Sequence, residues 1–279
     1  MGSRIPIHIG VLLDRYEIVN KLSVGGYSIV WAALDRHTGM HVSLKALKAA
    51  HSEDNMELRI LQHLARETQH PGRRHIAKLL HHFDVHVHGK KNLILVMELL
   101  GPNLRDSRLA HLGDIPAFNR LVSRQLVFGA GLSTLEWYSA RRLPQRYTPP
   151  LDQVVQGDVT REDGAPLPPG LPRHIVMPLY RYMHPHSRPK LEQLQIIDFS
   201  TSFFATEPHA RVLTMEHVAA PELIFRMPAS PAVDIWSLAC TIFYIATKGR
   251  IAYPWGDDYA ILPCLNLVIG ESSAQWLLN

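Results

Sequence analysis

Cysteine is scarce in this chain of 279 residues: only Cys240 and Cys264 occur. Two cysteines without paired spacing build neither a disulfide scaffold nor a thiolate zinc cluster, and they suit a reducing compartment, cytoplasmic or nuclear. Long apolar runs are missing too. None approaches the ~20 residues that span a bilayer, so no membrane partner is expected. Runs of one charge sign are absent as well. The net charge is +4 and the pI about 9.1, with Lys and Arg dispersed. That pattern describes a solvated surface rather than a nucleic-acid face. The first residues carry no signal-peptide core. Pro6 stands where a myristoylation signal needs Ser or Thr. No internal repeat is visible.

What is present describes an ordinary folded chain. Hydrophobic residues make up 46% and charged residues 19%, and this length fits one large domain or one two-lobed unit. Tyr16-Glu17-Ile18-Val19 and Ile29-Val30-Trp31-Ala32 read as strands around a Gly25-Gly26 turn. His41 to Lys45 and Asn92 to Leu99 read as further strands. From Glu57 to Leu64 the apolar residues Leu58, Ile60, Leu61 and Leu64 follow helical spacing. Ala117 to Leu135 reads as mainly helical. Ten of the twenty prolines then fall between Pro144 and Pro189. Such density excludes regular helix or central strand, so a long loop or insert is expected over about 144–190. Leu194 to Phe199 reads as a strand, and Asp234 to Thr247 as an apolar, buried helix.

Several segments carry chemistry in order along the chain. They are Leu22-Ser23-Val24-Gly25-Gly26-Tyr27-Ser28-Ile29-Val30, Val42-Ser43-Leu44-Lys45, and Met56-Glu57-Leu58-Arg59-Ile60-Leu61. After these come Met97-Glu98-Leu99-Leu100-Gly101-Pro102, Ile197-Asp198-Phe199-Ser200, Ala220-Pro221-Glu222 and Asp234-Ile235-Trp236-Ser237. Each alone has a bland reading: a hairpin turn, a surface lysine, a surface acid. In this order and spacing they resemble the motifs of eukaryotic protein kinases. Phosphoryl transfer needs positioned phosphates and neutralised charge more than covalent chemistry, and these residue types supply both.

The resemblance implies roles. Leu22, Ser23, Gly25, Gly26, Ser28 and Val30 would form the loop over the ATP phosphates, with Ser23 and Ser28 where the family has glycine. Lys45 would hold phosphates and Glu57 would hold Lys45, with Glu53 as the competing acid. Met97 would sit at the gatekeeper position, and backbone groups of Glu98 and Leu100 would meet adenine. Asp198 would bind Mg2+, with Ser200 replacing the glycine that follows the Asp-Phe pair. Further segments, His70-Pro71-Gly72-Arg73-Arg74-His75 and Arg161-Glu162-Asp163-Gly164-Ala165-Pro166-Leu167, are similar to the SR-protein kinases, especially fungal ones. The expected fold is α+β and two-lobed. Residues 1–15 would be an N-terminal extension and 16–98 a β-rich N-lobe with one helix. Residues 99–279 would form a mainly α-helical C-lobe carrying the insert. The expected partners are ATP and a protein substrate rich in Arg and Ser, and the expected state is a monomer.

One motif is missing. The family carries His-Gly-Asp followed by an asparagine after its long C-lobe helix. Residues Ala130 to Arg146 contain no His-x-Asp. Gln156-Gly157-Asp158-Val159, with Asp163 beyond, offers Asp158 as a substitute base, but the insert resemblance explains Asp163-Gly164 better and leaves Asp158 as a decoy. A one-base shift in reading frame from about Ser133 can instead restore Leu-His-Ser, Gly-Ile, His-Gly-Asp and Phe-His-Ser-Gly. That favours a frameshifted gene, and the coding DNA decides it. Loss of a general base typically lowers rate by about 10²–10⁴-fold. Kinases also continue with helices beyond the match to Trp276-Leu277-Leu278-Asn279, one bringing an arginine to the match of Glu222, so the lower lobe is expected to be shortened. His86 and His88 share a strand face without a completing ligand, and an exposed strand explains them better than a metal site.

Overall fold

Alternation of apolar and polar residues from Tyr16 onward places one face of each strand in a shared core, and the hairpin turns between strands set the register. The computed structural model describes residues 5–66, 69–103, 120–126, 138–142, 154, 156–161, 163–166, 174–176, 178, 194–204, 212, 214 and 218–247. The chain divides into two units. The first comprises Met1–Ala65, Ala77–Pro102 and Arg141–Glu192, and the second Arg66–Ile76, Asn103–Ala140 and Gln193–Asn279.

The first unit is dominated by a six-stranded antiparallel sheet. Its strands are β1 (Leu12–Leu13), β2 (Tyr16–Val24), β3 (Ser28–Asp35), β4 (His41–Leu47), β5 (Leu79–Val87) and β6 (Lys90–Glu98). They lie in the order β1-β2-β3-β4-β6-β5. Helix α1 (Met56–Arg66) is inserted between β4 and β5. The Asn55 side chain opens it by accepting the Leu58 N–H at 2.9 Å, which satisfies a free donor of the first turn. Hairpin β5–β6 turns at His88-Gly89, both with positive φ of 50° and 71°. Paired left-handed residues match the twist of two adjacent strands.

The core lies on one face of this sheet. Tyr16, Ile18, Trp31, Ala33, Val42, Leu44, Ala46, Ile94 and Val96 form it, with Ile7. Ile5 and Ile9 pack against it, so part of residues 1–15 contributes to the core. Tyr16 stacks on Phe83 with ring centroids 5.7 Å apart. Burial raises the Tyr16 hydroxyl pKa above its ordinary value. At the end of β3, burial of Asp35 is outweighed by the His37 N–H, the Thr38 side chain and the Arg15 charge, which together hold its carboxyl below the usual range.

Strands β7 (Leu100–Asn103), β8 (Tyr138–Arg142), β9 (Gln156–Asp158) and β10 (His174–Val176) follow. β9 and β10 pair antiparallel, with Gly157 opposite Ile175. The proline-rich region thus contains a short ribbon that its composition hides. Three-residue strands between prolines are too short to show alternation.

In the second unit, residues 120–126 are helical, and β11 (Leu194–Ile197), α2 (Pro221–Ile224) and α3 (Ala232–Ala246) follow. Gln125 accepts the Leu194 N–H at 2.6 Å, and His75 Nδ1 donates to the Leu194 carbonyl at 3.1 Å. Ile76 forms a parallel bridge with Ile196. Cys240 packs among Val218, Ile224, Phe225 and Trp236. The expectation of a buried α3 needs correction. Val233, Leu238 and Ile245 are buried, but Ile235 and Phe243 are exposed. Its apolar residues run all round the helix, so composition alone overstates its burial. Among the described residues no helix is long and apolar enough to cross a membrane.

Candidate functional site

Directly opposed residues in an antiparallel sheet share a face. Val30 lies opposite Lys45 and Lys45 opposite Leu95, while Ala32 lies opposite Ser43 and Ser43 opposite Met97. These two rows occupy the sheet face away from Trp31, Val42, Leu44 and Ile94. Ala32 is packed on this side by Val19, Leu22 and Leu99. One face therefore gathers Leu22, Val30, Lys45, Met97 and Leu99, which the sequence distributes over three separate motifs.

Lys45 is the only charged residue in these rows. It is 5% exposed and Glu57 is 1% exposed. Their side chains meet at 2.7 Å, Lys45 Nζ donating to Glu57 Oε1. Two opposite charges at this depth require each other, because either alone would be stranded without solvent. Glu57 sits in the first turn of α1, and Ile60, Leu61 and Leu64 share its buried stripe. Glu53, the competing acid, precedes the helix and is exposed.

The turn between β2 and β3 is closed by Gly25 N–H donating to the Ser28 carbonyl at 2.9 Å. Ser28 is buried and Ser23 half-buried, while Gly25 and Gly26 are exposed. Tyr27 anchors the tip: its carbonyl accepts the Lys48 N–H at 3.0 Å, and its ring meets His51 edge-on at 4.8 Å. Gly26 has no positive φ, and a Cβ there would meet nothing within 4 Å. The protein's own packing does not demand glycine at this position.

Glu98 and Leu100 are half-buried. Ser43 Oγ donates to the Glu98 carbonyl at 3.1 Å and lies 3.4 Å from the Met97 carbonyl. No local sequence pattern announces this bond beyond Ser43 itself, a hydroxyl where the resembling strand carries alanine.

In the second unit Asp198 follows β11 directly. Its φ is +67°, a left-handed conformation that aspartate tolerates better than most residues. Phe199 beside it is buried and Asp198 half-buried. A left-handed non-glycine residue at a strand end is strained, and such strain concentrates at functional positions. A carboxylate oxygen is the ligand type that Mg2+ takes.

Asp158 lies elsewhere. It sits on the β9–β10 ribbon with its side chain 80% exposed, 2.8 Å from His174 Nδ1. Asp163 is bound by the Arg161 guanidinium and accepts the Ala165 N–H at 3.1 Å. The Arg161 bond chiefly holds its carboxyl below the usual range. Residues 130–147 lie outside the described residues apart from the backbone of Tyr138–Arg142. Among the described residues no group of three His, Cys, Asp or Glu side chains is placed to hold a metal.

No family model matches the chain. Curated proteins do. The serine/threonine-protein kinase ppk5 of Schizosaccharomyces pombe is 26% identical over 96% of this chain and 28% of its own length. The serine/threonine-protein kinase SRPK of Physarum polycephalum is 26% identical over 92% of this chain and 67% of its own. The dual specificity protein kinase CLK1 of Homo sapiens is 26% identical over 93% and 50% respectively. The chain thus spans from about a quarter to two thirds of the length of these relatives. Along nine tenths of its length the chain is thus related to serine/threonine protein kinases, SR-protein kinases among them.

Proposed function

We propose that this chain carries the ATP site of a serine/threonine protein kinase of the SR-protein kinase type, a catalyst that moves the ATP γ-phosphate to Ser or Thr hydroxyls of an Arg/Ser-rich protein. The observation that carries this reading is the buried pair of Lys45 and Glu57 at 2.7 Å. A buried lysine on the strand next to the one that leaves the Gly25-Gly26 turn suits phosphate oxygens, which need donors and positive charge. Gly25, Gly26, Ser23 and Ser28 would cover the phosphates, with Leu22 and Val30 packing beside the base. Lys45 would bind phosphate, and Glu57 would hold Lys45 extended. Backbone groups of Glu98 and Leu100 would bind adenine. Asp198 would hold Mg2+, which supplies charge neutralisation at the phosphates. A monomeric protein in the cytoplasm or nucleus, with an α-helical C-lobe, completes the proposal.

The chain as written lacks the His-x-Asp segment over residues 130–147, and Asp158 is too exposed to act as a shielded base. That specific observation favours a second reading: a pseudokinase that binds nucleotide or partners without transfer, or the product of a frameshifted gene. ATP-dependent labelling of an Arg-Ser peptide separates the readings. Labelling that Lys45→Ala abolishes supports the kinase. No labelling, with Mg-ATP still raising the melting temperature, supports the pseudokinase. Neither response leaves the damaged-gene product.

A further inference from the structure

We propose that Ser43 is a purine-specificity residue, setting how strongly the site prefers a 6-amino over a 6-oxo purine. The inference rests on the reading that backbone groups of Glu98 meet adenine, and it deepens that reading.

A backbone carbonyl can only accept a hydrogen bond. Adenine offers a donor at its 6-position and guanine an acceptor. The Glu98 carbonyl therefore favours adenine by itself. Here that carbonyl already accepts the Ser43 hydroxyl at 3.1 Å. Ser43 is 8% exposed and stands in the same cross-strand row as Ala32 and Met97, beside the row of Lys45. It is thus on the face proposed to receive the base, not on the core face.

Two consequences follow from hydroxyl chemistry. One lone pair of the Glu98 carbonyl is occupied before any base arrives, which weakens its call on the 6-amino group. The hydroxyl hydrogen also rotates freely about its bond. It can leave the carbonyl and donate to a 6-oxo group, which an alanine at this position could not do. Both effects narrow the gap between adenine and guanine nucleotides. One hydrogen bond of this kind shifts a binding ratio by about three- to tenfold.

The test measures Kd for Mg-ATP and Mg-GTP by calorimetry on the full chain, in wild type, Ser43→Ala and Ser43→Thr. Ser43→Ala removes only one oxygen, and Ser43→Thr keeps the hydroxyl on a side chain suited to strands. The expected result is an ATP-over-GTP preference that rises about three- to tenfold in Ser43→Ala and returns toward wild type in Ser43→Thr. An unchanged preference in Ser43→Ala, with wild type binding ATP, overturns the role of Ser43 and leaves the ATP site standing. Equal losses for both nucleotides also overturn it, because they mark a purely structural residue. Wild type binding neither nucleotide overturns the inference and the proposed function together.

Discussion

Lys45→Met should destabilise the first unit by about 3–5 kcal/mol, the usual cost of leaving one member of a buried ion pair without its counter-charge. The structure sets that magnitude. Glu57 is 1% exposed and its Oε1 is 2.7 Å from Lys45 Nζ, so its carboxylate cannot recover solvation when the ammonium goes. In a domain of this size each kcal/mol moves Tm by about 2–4 °C, so a drop of about 6–20 °C is expected. Glu57→Leu alone should cost about as much, by stranding the lysine. The double variant should regain most of the loss. Replacing both charges with apolar side chains of similar volume is often neutral or better. Urea denaturation of the four proteins, followed by circular dichroism, gives the double-mutant cycle. Single variants costing under about 1 kcal/mol each, or a double variant costing the sum of the two, would refute the reasoning.

Two further predictions use other parts of the molecule. Burial first, and the Arg74 charge after it, hold the His75 pKa below its ordinary value, although the bond to Leu194 opposes them. The folded state thus favours neutral His75, and this contribution to stability is complete above about pH 6.5. It is lost as pH falls from there through the folded value. Wild type should lose stability from pH 7 to 5 more steeply than His75→Asn in urea titrations, and equal slopes would contradict it. Gly26→Ala should change stability by under about 0.5 kcal/mol, since a Cβ there meets nothing. It should weaken Mg-ATP by about two- to tenfold through one disturbed backbone bond, and unchanged affinity would remove the loop from the site.

Much of the first unit was legible in the sequence. Val42, Leu44 and Ala46 alternate with Ser43 and Lys45, so the strand and its two faces follow from period two. Glu57 is separable from Glu53 because the Ile60-Leu61 pair after it matches the kinase pattern, and the structure adds that Glu57 shares the buried stripe of Ile60, Leu61 and Leu64. Other features depend on packing that no local pattern announces. Ile7 enters the core from a segment read as an extension. The β9–β10 ribbon lies among prolines, where strand signals are weakest. The exposure of Ile235 and Phe243 on α3 depends on what surrounds that helix, not on its own composition. The clamp of His75 and Gln125 on Leu194 joins residues 119 and 69 positions apart, a separation beyond any periodic signal. Nothing local to Ser43 announces its bond, and only the strand register brings its hydroxyl to the Glu98 carbonyl.

Calorimetric titration of the full chain with Mg-ATP, run beside Lys45→Ala, tests the nucleotide site most directly. The account predicts saturable binding at one site per chain in wild type and its loss in Lys45→Ala. It also predicts a folded baseline for the variant by circular dichroism. Wild type that takes up no heat of binding, or Lys45→Ala that binds as tightly as wild type, would contradict it.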